Sequence, residues 1–388
     1  MDVLRRSLIS WMAMLAANPK LSWASEISNK YLILVELKGA NDGINTLAPY
    51  EADNYKKYRP NLHLKKNEII HIGQSPLVGS VGLMSSMSPL DEAIGDDLAM
   101  IQGVGYPDQN RSHFKSIAIW ETGGDGQNSR TAGWLTKTLE NMYPNDEIVA
   151  HGASLEGSLG LFARGKGTYI SMARLNQLAG LNVSYSQASA NTLINKIIKK
   201  KADVSNASQL VSKKLSHFPA SKLPNRMPYG DFSAQLIDVL RVIGSETAIP
   251  VMHVQHGSFD THDGQKWQHP RLLAELANGL SAFRKNLIKM DRWRDVLVVT
   301  YSEFGRRVAE NGAEGTDHGT ASVQFVMGGR VKAGLYGEYP SLDELEDGDL
   351  VHTMDYRAIY DRVCSNWLNQ KNNEWSGFSD KRLSSLIS

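Results

Sequence analysis

The chain has 388 residues, of which 41% are apolar and 21% charged, with 33 glycines and 13 prolines. That is a turn-rich globular composition, and it excludes global disorder and collagen-like structure. Lys plus Arg total 42 against 41 Asp plus Glu, a net charge of +1, so no basic excess directs the chain to nucleic acid. Cys364 is the single cysteine, which excludes an internal disulfide, a cysteine-based zinc site and a Cys-x-x-Cys redox pair.

The first residues read as an address. Arg5-Arg6 precede an uncharged, mostly apolar stretch from Leu8 to Ala17, and Ser22-Trp23-Ala24 has the small-x-small form of a cleavage site. Residues 1–24 are therefore expected to be a signal peptide of the twin-arginine type. Ten residues span ~15 Å of helix, about half a hydrocarbon core, so a permanent membrane span is not expected. The mature chain is expected to begin near Ser25 and to reside in the periplasm or outside the cell, with no integral membrane segment. The bland alternative is an ordinary amphipathic N-terminal helix.

Tyr31–Leu37 (YLILVEL) is a near-continuous apolar run, the mark of a strand buried on both faces. Leu98–Val104 is a second such run, followed by a polar loop and a helix over about Ser112–Trp120. Pro250–Gln255 and Val296–Tyr301 predict two more strands. Between them, Leu272, Leu276, Leu280 and Phe283 give Pro270–Ile288 a helical stripe. Ser322–Met327 is a last strand, and Tyr356–Leu368 a closing helix. Strands separated by helical patterns imply βαβ units and a parallel sheet with helices on both faces. The stretch at about 128–223 is richer in Ser, Asn and Lys, with weak strand signals, and is read as a cap or insertion in a single domain over 25–388. The basic run Ile194–Lys201 within it is read as a solvated face.

In open α/β sheets, sites form at the carboxyl ends of strands. Asn41-Asp42-Gly43 comes after the first strand and Asn110-Arg111-Ser112-His113 after the second. His256-Gly257-Ser258-Phe259-Asp260-Thr261-His262 comes after the third and Ser302-Glu303-Phe304-Gly305-Arg306-Arg307 after the fourth. Gly315-Thr316-Asp317-His318-Gly319 precedes the last strand. On a parallel sheet these groups crowd onto one edge. Asp42, Asp260, Glu303 and Asp317 cannot share a dry site without positive charge. Either Arg111, Arg306 and Arg307 neutralise them or a metal does. Asp-x-His and Asp-His pairs suit zinc, manganese or magnesium with open coordination. Asp42, Asp260, His262, Glu303, Asp317 and His318 are thus the candidate ligands for one or two divalent ions, or for none. Ser112 at a helix start is the candidate nucleophile, with Arg111 and His113 beside it as catalytic candidates. Each piece has an ordinary reading as well: a turn, a helix cap, a structural hydrogen bond. A Gly-x-Ser-x-Gly elbow, a phosphate loop and a dinucleotide fingerprint are all missing.

LVELKGANDGINTLAPY, NRSHF, SFDTHDGQ and SEFGRRVAENGAEGTDHG, in this order across nearly the whole mature chain, resemble the family of domain of unknown function 1501. Members are exported bacterial proteins, commonly with twin-arginine signals. The resemblance implies an alkaline phosphatase- and sulfatase-like fold, a three-layer α/β/α sandwich with a mainly parallel sheet. It implies that Asp42, Asp260, His262 and His318 match metal-ligand places and Ser112 the nucleophile. Two features depart from the superfamily: Asp-x-His replaces Asp-x-x-x-His, and Ser302-Glu303 replaces a strand-end Asp-His pair. A sulfatase Cys/Ser-x-Pro-x-Arg signature is also lacking. A two-metal site would accordingly be remodelled, mononuclear or lost. Two functions are expected on this basis. One is a metal-dependent hydrolase of phosphate or sulfate esters on a small molecule or a polymer. The other is a non-catalytic binding protein or pseudoenzyme acting with an exported protein partner. A structural role in a cell-surface assembly is a weaker third.

Overall fold

A computed structural model describes residues 30–128, 130–143, 148–155, 158–171, 192–371 and 373–388. The signal peptide read over 1–24 lies outside the described residues. None of the described helices is long and apolar enough to cross a membrane.

Among the described residues, nine strands form the central sheet. They are β1 (Tyr31–Lys38), β2 (Leu98–Gly105), β3 (Gly152–Ser154), β4 (Tyr169–Ser171), β5 (Val251–Gly257), β6 (Val296–Tyr301), β7 (Ser322–Gly328), β8 (Gly334–Gly337) and β9 (Met354–Asp355). The order is β8-β2-β7-β6-β1-β5-β3-β4, with β9 also paired to β2. β1 lies at the centre, parallel to β5 and β6. β7 runs antiparallel to both its neighbours, β2 and β6. A small three-stranded sheet of residues 47–48, 69–75 and 79–84 stands beside this one.

The continuous apolar run of β1 has a simple cause. Side chains alternate between faces along a strand, and here both faces are covered. Tyr31, Ile33, Val35 and Leu37 join the core on one face, with α3 (Asp231–Gly244) and α4 (Gln265–Lys289). Leu32 and Leu34 join the core on the other, with Trp120 of α1 (His113–Thr122) and α5 (Arg357–Arg362). The result is a three-layer α/β/α sandwich with a mainly parallel sheet.

Several bounds differ from the sequence reading. α4 begins at Gln265, five residues before Pro270. A proline there forfeits one i→i−4 hydrogen bond without ending the helix. α5 stops at Arg362 and its continuation, Val363–Trp367, is a π-turn. The described part of 128–223 supplies β3 and β4, which extend the central sheet from β5. At three residues each, these strands are too short to show a period. α2 (Thr192–His217) carries the basic run on the same segment.

Candidate metal centre

The parallel strands end at one edge of the sheet. β7 starts there, because it runs the other way. The loop after β6 and the loop before β7 therefore meet. Arg306 and His318 form an antiparallel bridge, and the Arg307 N–H donates to the Asp317 carbonyl at 3.0 Å. Gly319 is required at this meeting: a Cβ on it would stand 2.4 Å from the carbonyl carbon of Arg306. Gly39, at φ +104°, turns the end of β1 so tightly onto the β5 loop that a Cβ would lie 2.5 Å from the Asp260 nitrogen. These two glycines let three loops share one small space.

α1 brings the fourth element. His113, Ser116 and Trp120 fall on one helix face. Ser116 Oγ and Trp120 Nε1 both donate to the Glu303 carbonyl, the latter at 3.0 Å. This anchor sets His113 above the Glu303 side chain.

Three imidazoles and a carboxylate converge. The Nε2 atom of His318 lies 3.0 Å from His113 Nε2, 2.9 Å from His262 Nε2 and 3.3 Å from Asp260 Oδ1. Asp260 Oδ1 is 3.1 Å from His262 Nε2, and Asp260 Oδ2 is 3.5 Å from His113 Nε2. Every Nδ1 faces an acceptor. His113 Nδ1 meets Glu303 Oε1 at 2.7 Å, His262 Nδ1 meets Asp317 Oδ1 at 3.0 Å, and His318 Nδ1 meets the Arg111 carbonyl at 2.9 Å. These partners assign the Nδ1–H tautomer to each neutral ring. The Nε2 lone pairs of neutral rings then face one another, an arrangement that repels unless a proton or a cation lies among them.

That donor set fits a metal. Ring nitrogens oriented by a carboxylate or a carbonyl behind them are the usual surroundings of metal-bound histidine. Ligand atoms on a tetrahedral ion with ~2.0–2.1 Å bonds stand ~3.3 Å apart. His113, Asp260 and His318 form a mutually close group at 3.0–3.5 Å. His262 touches Asp260 and His318 as well.

The electrostatics of the cluster have identifiable causes. Burial alone would raise the Asp260 carboxyl, but the Arg306 guanidinium at 2.6 Å and the neighbouring imidazoles outweigh it and hold it below the usual range. Hydrogen bonds from Asn311 and His262 lower Asp317. The hydrogen bond to Glu303 raises His113, and burial lowers His318.

The remaining sequence candidates are placed elsewhere or in other roles. Glu303 is buried and accepts from the Gly39 N–H at 2.9 Å as well as meeting His113, so it stands behind an imidazole. Asp317 stands behind His262 in the same way. Arg111 turns its guanidinium outward to buried Asp349, and only its carbonyl serves the cluster. Ser112 is exposed, precedes α1 and makes no side-chain capping bond; its N–H donates to Asn110 Oδ1 at 2.8 Å.

Asp42 is not brought to the cluster. It is fully buried, caps the one-turn helix Gly43–Thr46, and is clasped by Arg59 at 2.5 and 3.0 Å and by the Gln265 amide. The expected metal position at Asp42 is thus taken by a guanidinium. Of the three arginines proposed as neutralisers, Arg306 acts on Asp260. Arg59, which the sequence reading did not single out, acts on Asp42. Nothing in the run Lys56-Lys57-Tyr58-Arg59 distinguishes that arginine from surface charge.

His269 belongs to the same buried network, with Nε2 at 2.9 Å from Asn41 Oδ1. Burial pushes its imidazole down to about 4, against ~6.5 for an unfolded histidine. The unfolded chain therefore takes up this proton first as pH falls. The stabilisation is whole above ~6.5 and is lost progressively toward pH 4, on the order of 3 kcal/mol. His269→Gln is expected to flatten that part of the stability profile. Urea midpoints measured from pH 7 to 4 check it, and a slope equal to the wild type's would contradict it.

A family model described as "Protein of unknown function (DUF1501)" matches residues 101–363. No curated protein matches the chain. Among solved structures the chain is similar to Ps i-CgsB in complex with k-i-k-neocarrahexaose, at 11% identity and a TM-score of 0.40, covering 91% of this chain and 75% of that one. It is similar to the lipoteichoic acid synthase LtaP from Listeria monocytogenes at 10% identity and a TM-score of 0.40, with 92% and 76% covered. A protein in the alkaline phosphatase superfamily from Vibrio parahaemolyticus is similar at 11% identity and a TM-score of 0.36, with 80% and 62% covered.

Proposed function

This chain belongs to the DUF1501 family, and we propose that it is an exported, metal-dependent hydrolase of phosphate or sulfate esters. The observation that supports this reading is the convergence of imidazole lone pairs on Asp260, each ring fixed from behind by an acceptor. His113, His318 and Asp260 would hold one ion, with His262 at its side. A donor set of imidazoles and one carboxylate favours zinc or manganese over magnesium. The clasp of Arg59 on Asp42 favours one ion over two. When bound, such an ion polarises an ester oxygen and stabilises charge developing on it.

The protein's own groups have separate tasks. Glu303, Asp317 and the Arg111 carbonyl fix the ring orientations. Arg306, fully buried on the carbonyls of Gly39, Ala40, Phe259 and Thr316, holds Asp260 in place. Ser112, beside His113 and at the positive end of α1, is the nucleophile: its Oγ bonds to phosphorus or sulfur as the ester alcohol leaves with the hydroxyl proton, and water then releases the phosphate or sulfate and restores the serine. A twin-arginine leader would deliver the folded chain, already loaded, to the periplasm or beyond.

The test is metal content together with turnover. About one equivalent of zinc or manganese is expected in protein purified without chelators. Release of p-nitrophenol from its phosphate or sulfate ester should stop on chelation and return on metal addition. Ser112→Ala is expected to lower turnover by at least ~10²-fold while metal content is unchanged. No metal uptake on dialysis against either ion would overturn the proposal. Unchanged turnover in Ser112→Ala would remove the serine from it.

A further inference from the structure

Two cavities open at the end of β5, the first of them beside the cluster. One, of about 610 Å³, lies between α1 and the sheet and is bordered by His113, Asp260 and Glu303. The other, of about 760 Å³, lies between α3 and α4. They share Gln255, Gly257 and Ser258 at the end of β5, so the two basins adjoin across that strand end, and a ligand crossing it would occupy both as one groove. Each volume alone suits a drug-sized ligand. A small phosphate or sulfate ester would leave most of the groove unfilled.

The lining has a definite chemistry. β1 explains its first part. The face that carries Leu32 and Leu34 continues through Glu36 and Lys38 as the strand nears the edge, so the floor changes from apolar to polar. Gln255 of β5 lies beside Glu36 in register. Asp231, Arg271, Glu275 and Asn278 line the second basin. These are planar amides, carboxylates and a guanidinium, groups that pair with hydroxyls, with Arg271 held to Glu275 at 2.8 Å. Apart from Asp260 and Glu303 at the cluster, acidic groups still prevail: Glu36, Glu121, Asp231 and Glu275 against Lys38 and Arg271. Such a lining disfavours a polyanion.

Each basin also has an aromatic platform. Phe114 in the first and Tyr229 in the second are both 88% exposed. Arg226 holds the Tyr229 ring, donating to its hydroxyl at 2.6 Å with the guanidinium 5.5 Å from the ring centre. Exposed rings of this size, one of them fixed in place, present flat apolar faces to a ligand that is otherwise hydroxylated.

We infer that the groove binds a neutral glycan chain, stacked on Phe114 and Tyr229, whose ester group reaches the His113–Asp260–His318 cluster. The inference deepens the hydrolase reading by naming its substrate class, and it rests on that reading only at the reacting end. Binding is therefore measured on chelator-treated protein, where loss of the metal reading leaves the glycan result standing.

The probes are the hexasaccharides and disaccharides of cellulose, chitin, starch and xylan, with a dextran sulfate oligomer as the polyanion, titrated by calorimetry. At least one neutral hexasaccharide is expected to bind at least tenfold tighter than its disaccharide. Tyr229→Ala should weaken the hexasaccharide at least tenfold and leave the disaccharide unchanged. Phe114→Ala should weaken both. Both residues are exposed, so the variants keep the fold, which a thermal melt confirms. Failure of all four hexasaccharides, preference for dextran sulfate, or binding indifferent to both substitutions would overturn the inference.

Discussion

Arg59→Met is expected to lower the stability of the protein by about 3–5 kcal/mol, the cost of leaving a buried carboxylate without its partner. Asp42 and Arg59 both have fully buried side chains. Burial alone would raise the Asp42 carboxyl, but the guanidinium outweighs it and holds it below the ordinary range. Arg59 also binds the carbonyls of Arg307 and Val308 at 2.8 and 2.9 Å and Asn45 Oδ1 at 2.8 Å. Its removal therefore unties the segment after β6 from the segment after β1. The double variant Arg59→Met with Asp42→Asn should recover a large part of the loss, because no buried charge is then left alone. Chemical denaturation of the two variants decides this. Equal losses in both would mean that packing, not charge, governs the site. The single variant carries a second readout. If it gained a metal equivalent over the wild type, the guanidinium would be occupying a cation's place.

Legibility in the sequence differs by kind of feature. The strands β1, β2, β5, β6 and β7 were readable because burial on both faces demands unbroken apolar runs, and α4 because its leucines repeat at helical spacing. β3, β4, β8 and β9 have two to four residues each and sit in register with longer neighbours; nothing local marks them. The clustering of polar groups at one edge was readable from the loop residues at the end of each strand. The direction of β7 was not, yet His318 reaches the cluster only because that strand runs backward. Roles were less legible than places. A sequence shows that Glu303 and His113 lie at strand and helix ends. It does not show that one stands behind the other, which depends on the seat of α1 on the Glu303 carbonyl. Arg59 was invisible for a related reason: its partner is 17 residues away, across two short helices and a turn.

Asp260→Asn is expected to abolish metal retention, whereas Glu303→Gln should weaken affinity about 10–100-fold without abolishing it. The difference comes from position. Asp260 presents its two oxygens to different imidazoles, Oδ1 to His262 and His318 and Oδ2 to His113, so it joins the rings electrostatically. An amide there keeps the shape and the contact with Arg306 is weakened, but the one charge that offsets the ion is gone. Glu303 touches only Nδ1 of His113, together with the Gly39 N–H and Ser302 Oγ. Its amide can still accept from that ring, at lower basicity, so the tautomer survives and the ligand is merely a poorer donor. Competition with a chromogenic chelator gives both affinities, and circular dichroism shows that the fold is kept. Equal effects of the two substitutions would contradict the division between ligands and orienting groups. A Glu303 variant that lost all metal while Asp260→Asn kept it would reverse that division, and the Ser302-Glu303 pair would then be the true ligand place at the end of β6.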